Sequence, residues 1–228
     1  RKDSPSVSML GVRQKDWFKR SLQNSTATWK VWANEMPIMG FKFDPGVLDP
    51  QQENGYLWTD GWDGFPNERE ELMQFLLQEK IGNVVSLSGD RHAHYAGLVA
   101  DNYNSENPTY VIPDFTNASI SAKSRNFILS RPIERMGLGQ IASTTITNAQ
   151  GQEEEVCTLD FFMRKGAVAA DVLAKTGDIQ QANEAATTSP NPHLKYADND
   201  VHGYCISRFE KGHMECDFVS VMRPDWDP

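Results

Sequence analysis

The chain has 228 residues, of which 39% are apolar and 23% charged, and this is the composition of an ordinary globular protein. Its net charge of −9 argues against a nucleic-acid-binding patch and against a polybasic membrane surface. No apolar run approaches the roughly 20 residues of a transmembrane segment, and the first ten residues, RKDSPSVSML, have no apolar core of the kind found in signal peptides.

Helix and strand patterns alternate in the first half of the chain. Apolar residues recur at helical spacing in two segments, and they alternate with polar residues or form short runs in three others. A long segment rich in Gly, Asp and Pro is predicted to be a loop of the kind that lines functional sites. The predicted helices are 11–25 and 67–80, the strands are 27–38 and 83–87, segment 108–121 is a strand that leads into a loop, and the long loop is 40–66.

Two of these segments allow more detailed predictions. Asn67 is expected to be the N-cap of the second helix, since a side-chain oxygen there can accept a bond from a free backbone N–H. In the first strand, Trp29, Val31 and Ala33 alternate with polar positions and are expected to share the buried face, and Pro37 is expected to end the strand.

The second half is predicted to finish in antiparallel strands. Residues 154–164 are predicted to be β-rich, and the Ala-rich residues 165–190 to form a helix or a surface excursion. Strands are predicted at 203–209 and 214–221. A sheet covered by helices accounts for this order of elements, so the sequence predicts a mixed α/β fold.

The three cysteines, Cys157, Cys205 and Cys216, do not occur in a CxxC pair, which argues against a zinc ribbon. Cys205 and Cys216 flank a turn-like segment, residues 210–212, and with a two-residue loop their side chains would share one face of a hairpin. The sequence leaves two alternatives open for this pair, a disulfide or buried free thiols.

The segment NVVSLSGDRHAHYAGLV, residues 83–99, ends an apolar strand in a cluster of polar side chains. Asp90 and His92 can bind one metal ion, because a carboxylate suits calcium, magnesium, manganese or ferric iron and an imidazole suits a transition ion. Arg91 between them can grip a phosphate oxygen in bidentate fashion. The same spacing is also common as a structural pattern, with the Asp capping the next segment and the His bonded to backbone carbonyls.

Six segments, in this order, closely resemble the C-terminal half of the PhoD-like alkaline phosphatases and phosphodiesterases, members of the calcineurin-like metallophosphoesterase superfamily. The resemblance covers residues 9–208 with gaps. It implies a four-layer sandwich of two sheets between helices, with a site at the strand ends that binds iron and calcium or another divalent metal. The segments are MLGVRQKDWF, ATWKVWANEMPI, DGWDGFPNERE, NVVSLSGDRH, IPDFTNASIS and NPHLKYADNDVHGY.

The resemblance assigns metal ligation to Asp90 and His92. The superfamily's last ligand motif, Gly-His-x-His, matches residues 89–92 with an Asp in place of the first His. A preceding histidine block of the superfamily ends a strand just before a proline, and here that place holds Asn34 and Glu35. These two are candidates for a ligand or a supporting role, and the alternative is a polar strand end that faces solvent.

Three further expectations concern the surroundings of the ligands. Arg91, His92 and His94 are the candidate catalytic residues, and His94 contacts the phosphate, orients a neighbour or is a structural residue. The segment around Asp60 and Asp63 either forms a wall of the site or packs the loop against the following helix.

The family's other ligands come from its N-terminal half: an early Asp, a Gly-Asp segment with a neighbouring Tyr, a Cys, and a Trp-Asp-Asp-His-like stretch. None of these is present here, so residues 1–228 are expected to be the C-terminal portion of the domain, with the other half on a second fragment or chain. The resemblance implies a periplasmic or secreted hydrolase of phosphate monoesters or of phospholipid- or nucleotide-type diesters. A metal-free, non-catalytic binding or scaffold subunit on the same fold is the alternative.

Overall fold

The computed structural model of the chain describes residues 7–43, 55–56, 58–135, 142–147, 150–186 and 188–222. Within these ranges, no helix is both long and apolar enough to cross a membrane. The helices are α1 (Gly11–Gln23), α2 (Pro66–Gln78), α3 (Arg125–Arg135), α4 (Thr158–Lys165), α5 (Ala167–Thr176) and α6 (Ile179–Ala185). The strands are β1 (Lys30–Ala33), β2 (Lys42–Phe43), β3 (Gly55–Tyr56), β4 (Val84–Ser88), β5 (His94–Ala100), β6 (Tyr110–Thr116), β7 (Ser143–Thr147), β8 (Glu153–Cys157), β9 (Leu194–Asp198), β10 (His202–Phe209) and β11 (Met214–Val221).

The central sheet is mixed, with the strand order β1-β4-β6-β5-β9. Strands β1, β4 and β6 are parallel neighbours. Strand β5 runs antiparallel to β6 on one side and to β9 on the other. Because the carboxyl ends of parallel strands meet at one edge of a sheet, the polar residues that follow β1, β4 and β6 are brought together. The mixed α/β fold expected from the sequence is confirmed.

One face of the central sheet packs against α1 and α2. Trp32 of β1 lies 4.4 Å, centroid to centroid, from Phe18 of α1. Helix α2 buries Leu72 and Leu76 in the same core, which also contains Val84 of β4. Full burial of one such side chain contributes about 1.5–3 kcal/mol. This apolar cluster fixes the sheet, and with it the strand ends where the polar residues lie.

The other face is partly covered by the β10–β11 hairpin. The ring of Phe218 lies 4.8 Å from His94 and 6.4 Å from Phe115, both in the central sheet. At the far end of the hairpin, Trp29 Nε1 donates a hydrogen bond of 2.6 Å to the carbonyl oxygen of Glu210. Helices α1 and α2, the central sheet and the β10–β11 hairpin are therefore stacked in that order.

The prediction for the first strand is wrong in length and in its buried face. Only Lys30–Ala33 is a strand. Trp32 is its buried residue, whereas Val31 and Ala33 are exposed. The alternation is real, but the helix-covered face takes the largest apolar side chain, and sequence periodicity does not specify which of the two faces that is.

Two other predicted elements are corrected by the structure. Asn67 is not an N-cap, because α2 begins one residue earlier with Pro66, and the capping position is Phe65, which makes no side-chain cap. Proline suits the first position of a helix, where its missing N–H is not needed. Residues 154–164 are a strand only as far as Cys157, and the rest is α4, which buries Leu159, Phe162 and Met163 on one face.

The predicted loop 40–66 contains short regular elements. Strand β2 pairs with β3, and residues 62–64 form a turn of 3-10 helix. Residues 44–54 and 57 lie outside the described ranges. The prediction for residues 165–190 is confirmed as helical, since α5 and α6 lie there.

The predicted hairpin is confirmed, and its cysteines are free thiols. The connection is longer than the two-residue loop, because Phe209 pairs with Met214. Cys205 lies opposite Phe218 and Cys216 lies opposite Ser207, so the two cysteines are diagonal neighbours on one face of the hairpin.

Candidate functional site

The carboxyl ends of β1, β4 and β6 are joined by backbone hydrogen bonds that extend beyond the strands. The sheet edge therefore gathers Asn34 and Glu35, the glycine before Asp90, and Asn117 into one region. The bonds run from Asn34 N to Leu87 O at 2.9 Å, from Gly89 N to Glu35 O at 3.1 Å, and from Asn117 N to Ser88 O at 2.8 Å. The sequence-predicted residues Asn34 and Glu35 are thus placed beside the Asp-Arg-His motif.

The motif itself has an unusual backbone. Asp90 has φ of +67° and His92 has φ of +56°, so both are in the left-handed region although neither is a glycine. Each such residue costs about 1–2 kcal/mol relative to an ordinary conformation. Left-handed residues of this kind concentrate at functional sites, where the surrounding structure holds the strained conformation.

His92 is fixed through one nitrogen of its ring. Its Nδ1 lies 2.6 Å from the carbonyl oxygen of Lys123, and a carbonyl can only accept, so Nδ1 carries the proton. The half-buried ring then presents the lone pair of Nε2. Metal-binding histidines are commonly held in this tautomer by a backbone carbonyl.

Asp90 presents an exposed carboxylate beside His92. Its nearest charged partner is Arg91, whose Nη1 lies 3.8 Å from Asp90 Oδ2. Across the described part of the chain, Asp90 accepts no hydrogen bond that would cap a following helix, so the geometry does not support the capping alternative. No group of three or more His, Cys, Asp or Glu residues with metal-binding geometry occurs among the described residues.

Three polar side chains at the neighbouring strand ends differ in their hydrogen bonding and in their exposure to solvent. Asn34 donates a hydrogen bond of 2.7 Å from Nδ2 to the carbonyl oxygen of Met36, which fixes its amide group. Glu35 is exposed. Asn117 has a buried Oδ1 without a hydrogen-bond partner in the described structure. Sequence reasoning did not select Asn117, although a polar residue where the predicted strand of segment 108–121 leads into a loop was a signal for it.

Arg91 is buried although it carries a charge. Its Nη1 and Nη2 both lie 3.3 Å from Oδ1 of Asp60, and its guanidinium lies 5.2 Å from the centroid of the Trp58 ring. Gly61 makes room for this arrangement, because a Cβ there would lie 2.5 Å from Nη2 of Arg91. The loop that precedes α2 therefore forms a wall of the site through Trp58, Asp60 and Gly61.

The second acid of that loop belongs to the core instead. Asp63 and Arg69 form a buried ion pair at 2.7 Å between Oδ1 and Nη1. The other oxygen of Asp63 accepts a bond of 2.9 Å from the backbone N–H of Phe41. Asp60 therefore contacts the candidate site residue Arg91, whereas Asp63 packs the loop against α2.

His94 lies beneath the hairpin and not at the open edge. It is fully buried, and its Nδ1 accepts a hydrogen bond of 3.0 Å from the backbone N–H of Ala118. Burial is the main cause that lowers the pKa of His94, while the Asp198 carboxylate acts in the opposite direction. This position favours an orienting role over direct contact with a phosphate group.

Comparisons with known proteins agree with the resemblance seen in the sequence. The family model of the PhoD-like phosphatases matches residues 1–218. Alkaline phosphatase D of Bacillus subtilis (strain 168) is 28% identical over 119 residues, which make up 52% of this chain and 19% of that protein. A solved structure of PhoD aligns with a TM-score of 0.52 at 18% identity, over 95% of this chain and 33% of the solved chain. The chain thus spans one fifth to one third of these relatives, and the structural likeness shows the fold.

Proposed function

Because the chain belongs to the PhoD-like phosphatase family, we propose that it forms part of the active site of a metal-dependent phosphoric ester hydrolase. The observation that carries this proposal is the His92 imidazole, anchored through Nδ1 to the Lys123 carbonyl with Asp90 beside it at the end of β4. A carboxylate and a neutral imidazole in strained, fixed backbone positions fit a site that is built before its ligand binds.

Asp90 and His92 would hold the metal, with Asn34 and Glu35 as further oxygen donors from the adjacent strand end. The mixed oxygen and nitrogen donors suit the iron and calcium expected from the family, and also another divalent ion. When bound, such ions polarise the phosphoryl group and lower the pKa of a bound water. The buried Oδ1 of Asn117 is an additional oxygen donor at the same edge.

The protein's own contribution to the reaction is to bind and orient the phosphoryl group. Arg91 is held against Trp58 by burial and by contact with Asp60, so the position of its guanidinium group is fixed. Phosphoryl transfer depends on positioning and on stabilising the charge that develops on the equatorial oxygens. His94 would orient the neighbouring backbone, because its Nδ1 accepts a hydrogen bond from the backbone N–H of Ala118.

The remaining ligands would come from the part of the family fold that lies outside this chain. Helices α1 and α2 packed on the five-stranded central sheet fit one helix layer and one sheet of the four-layer sandwich expected from the resemblance. Val31 and Ala33 are exposed on the sheet face opposite Trp32, where a second sheet would pack. The solved PhoD chain is about three times as long as its matched part, which also supports a larger complete domain.

We infer the substrate class and the location of the complete enzyme from its family. The name of the relative, alkaline phosphatase D, supports hydrolysis of phosphate monoesters, and phospholipid- or nucleotide-type diesters are the second substrate class. A periplasmic or secreted location is proposed on the same basis. These assignments concern the complete domain, of which this chain is a part.

The proposal is tested by changing His92 to Ala in an enzyme that contains the complete domain. Activity on p-nitrophenyl phosphate and bis-p-nitrophenyl phosphate is expected to fall at least about 100-fold, and the amount of bound metal is expected to fall with it, because a direct metal ligand is lost. His213→Ala is the matched control, because His213 is exposed in the hairpin loop. Elemental analysis that finds no iron, calcium, zinc or manganese in the unmodified enzyme would instead support the metal-free scaffold.

A further inference from the structure

We propose that Arg91 and Arg125 together form a binding site for a dianionic phosphoryl group, and that the carboxylate of Asp60 occupies part of this site when no ligand is bound. This inference rests on the proposed function and deepens it. A phosphate monoester carries two negative charges at alkaline pH and a diester carries one, so a site with two guanidinium groups favours monoesters over diesters.

The two arginines lie on one aromatic ring. The guanidinium carbons of Arg91 and Arg125 are 5.2 Å and 4.2 Å from the ring centroid of Trp58. Arg125 is also tied to the motif, because its backbone N–H donates a bond of 2.8 Å to the carbonyl oxygen of His92. The indole therefore fixes two positive charges beside the proposed metal ligands, and cation–π contact orients each planar group.

Both guanidiniums have hydrogen-bonding capacity that the protein does not use. The Nε atoms of Arg91 and Arg125 are buried and have no hydrogen-bond partner in the described ranges. Arg91 as a whole is only 5% exposed. Buried charged donors without acceptors are unfavourable in a finished structure, and they are expected where an anionic ligand completes the site.

The carboxylate of Asp60 is suited to be displaced from Arg91 by a phosphoryl group. Both of its contacts to Arg91 are 3.3 Å and use a single oxygen, whereas strong charge-assisted bonds are about 2.7–2.9 Å. Its side chain is 75% exposed, so water can take over the carboxylate when it leaves. A phosphoryl group offers several acceptor oxygens in place of one.

The test uses the 228-residue chain in metal-free buffer at alkaline pH, with binding measured by calorimetry. Inorganic phosphate, a dianion under these conditions, is expected to bind at least roughly tenfold more tightly than dimethyl phosphate, a monoanion. Arg125→Gln is expected to weaken phosphate binding roughly tenfold and to remove most of this preference. Asp60→Asn is expected to strengthen phosphate binding, because the competing charge is removed.

Arg131→Gln is the matched control, since Arg131 is an exposed arginine of the same helix whose guanidinium lies 6.0 Å from the ring centroid of Phe127. It is expected to bind phosphate like the unmodified chain. Arg125→Lys keeps the charge but loses the planar fork, and it is expected to bind phosphate with intermediate affinity. Thermal unfolding of each variant shows whether it is folded.

The proposal is overturned if the unmodified chain fails to bind phosphate at millimolar concentrations, if it binds both anions equally, or if folded Arg125→Gln binds phosphate unchanged. These results would leave the hydrolase proposal standing, because the assay contains no metal and measures no hydrolysis. Conversely, the complete enzyme could prove inactive while the chain still prefers phosphate through Arg125. That result would contradict the hydrolase proposal and leave the phosphate-site proposal intact.

Discussion

The carbonyl oxygen of Lys123 accepts a hydrogen bond of 2.6 Å from Nδ1 of His92. This bond joins the loop before α3 to the residues that leave β4, two segments that lie 31 residues apart in the chain. It selects one tautomer of the imidazole and leaves a free lone pair on Nε2. The proposed ligand is therefore oriented by backbone from a different element and does not depend on its own segment alone.

Replacing Asp90 by glycine is expected to stabilise the fold and to reduce activity. The backbone at Asp90 has φ of +67°, which glycine adopts at no steric cost, so Asp90→Gly is expected to raise the free energy of unfolding by up to about 1 kcal/mol. Hydrolysis and metal content are expected to fall, because the carboxylate is gone. Thermal unfolding and phosphatase assays measure the two effects.

Lys80→Gly is the matched control for strain. Lys80 has φ of +54° just after α2, away from the strand ends, so this change is expected to stabilise the fold to a similar degree and leave activity intact. If Asp90→Gly were fully active, Asp90 would not be a ligand.

Gly61→Ala is expected to reduce activity through Arg91. A Cβ at Gly61 would lie 2.5 Å from Nη2 of Arg91 and 2.8 Å from the sulfur of Met36, so the guanidinium must move. A displacement of about 1 Å at a positioning group can cost roughly 100-fold in rate, and we expect at least a tenfold fall in kcat/KM. Gly82→Ala, where a Cβ meets nothing within 4 Å, is expected to leave kcat/KM unchanged.

Removing one partner of the buried ion pair should destabilise the fold strongly. Asp63→Ala leaves Arg69 buried and unpaired, and it is expected to cost about 3–5 kcal/mol of unfolding free energy. Asp171→Ala removes the largely exposed pair with Lys175, and it should cost no more than about 0.5 kcal/mol. Denaturant titration of both variants compares the two; equal costs would mean that burial does not determine the strength of the Asp63 interaction.

Stability is expected to depend on pH through His193. Burial is the main cause that lowers the pKa of His193 to about 4, and its Nε2 lies 2.6 Å from the carbonyl oxygen of Gly40. An unfolded histidine has a pKa of about 6.5, so between these values the unfolded chain binds more protons than the folded one. The His193 contribution is thus complete above about pH 6.5 and is lost progressively as the pH falls toward 4.

The pH effect is measured as the thermal midpoint across that window. His193→Gln is expected to flatten the acid-induced fall, and His213→Gln, at an exposed position, is expected to keep it. A midpoint of the His193→Gln variant that falls as steeply as that of the unmodified chain would assign the acid sensitivity to other groups.

Local pattern predicted much of the fold. The apolar run of β4, the two helices of the first half and the final hairpin follow from periodicity and turn residues. The face of β1 was predicted wrongly, because burial of Trp32 depends on contact with Phe18, which belongs to another element.

The site was predictable only where its residues are neighbours in sequence. Asp90, Arg91 and His92 stand together in the motif, whereas Asn34 was selected only through the family resemblance. Arg125 could not be found this way, because its role depends on sharing the Trp58 ring with Arg91, a contact across the tertiary fold.

The central claim, that His92 and Asp90 bind a metal ion at the end of β4, is tested most directly by X-ray absorption at the metal edge of the complete enzyme. Imidazole coordination adds outer-shell scattering from the ring carbons. The account predicts that this signal decreases in His92→Ala and persists in His213→Ala. Identical spectra of His92→Ala and the unmodified enzyme at equal metal occupancy would contradict it.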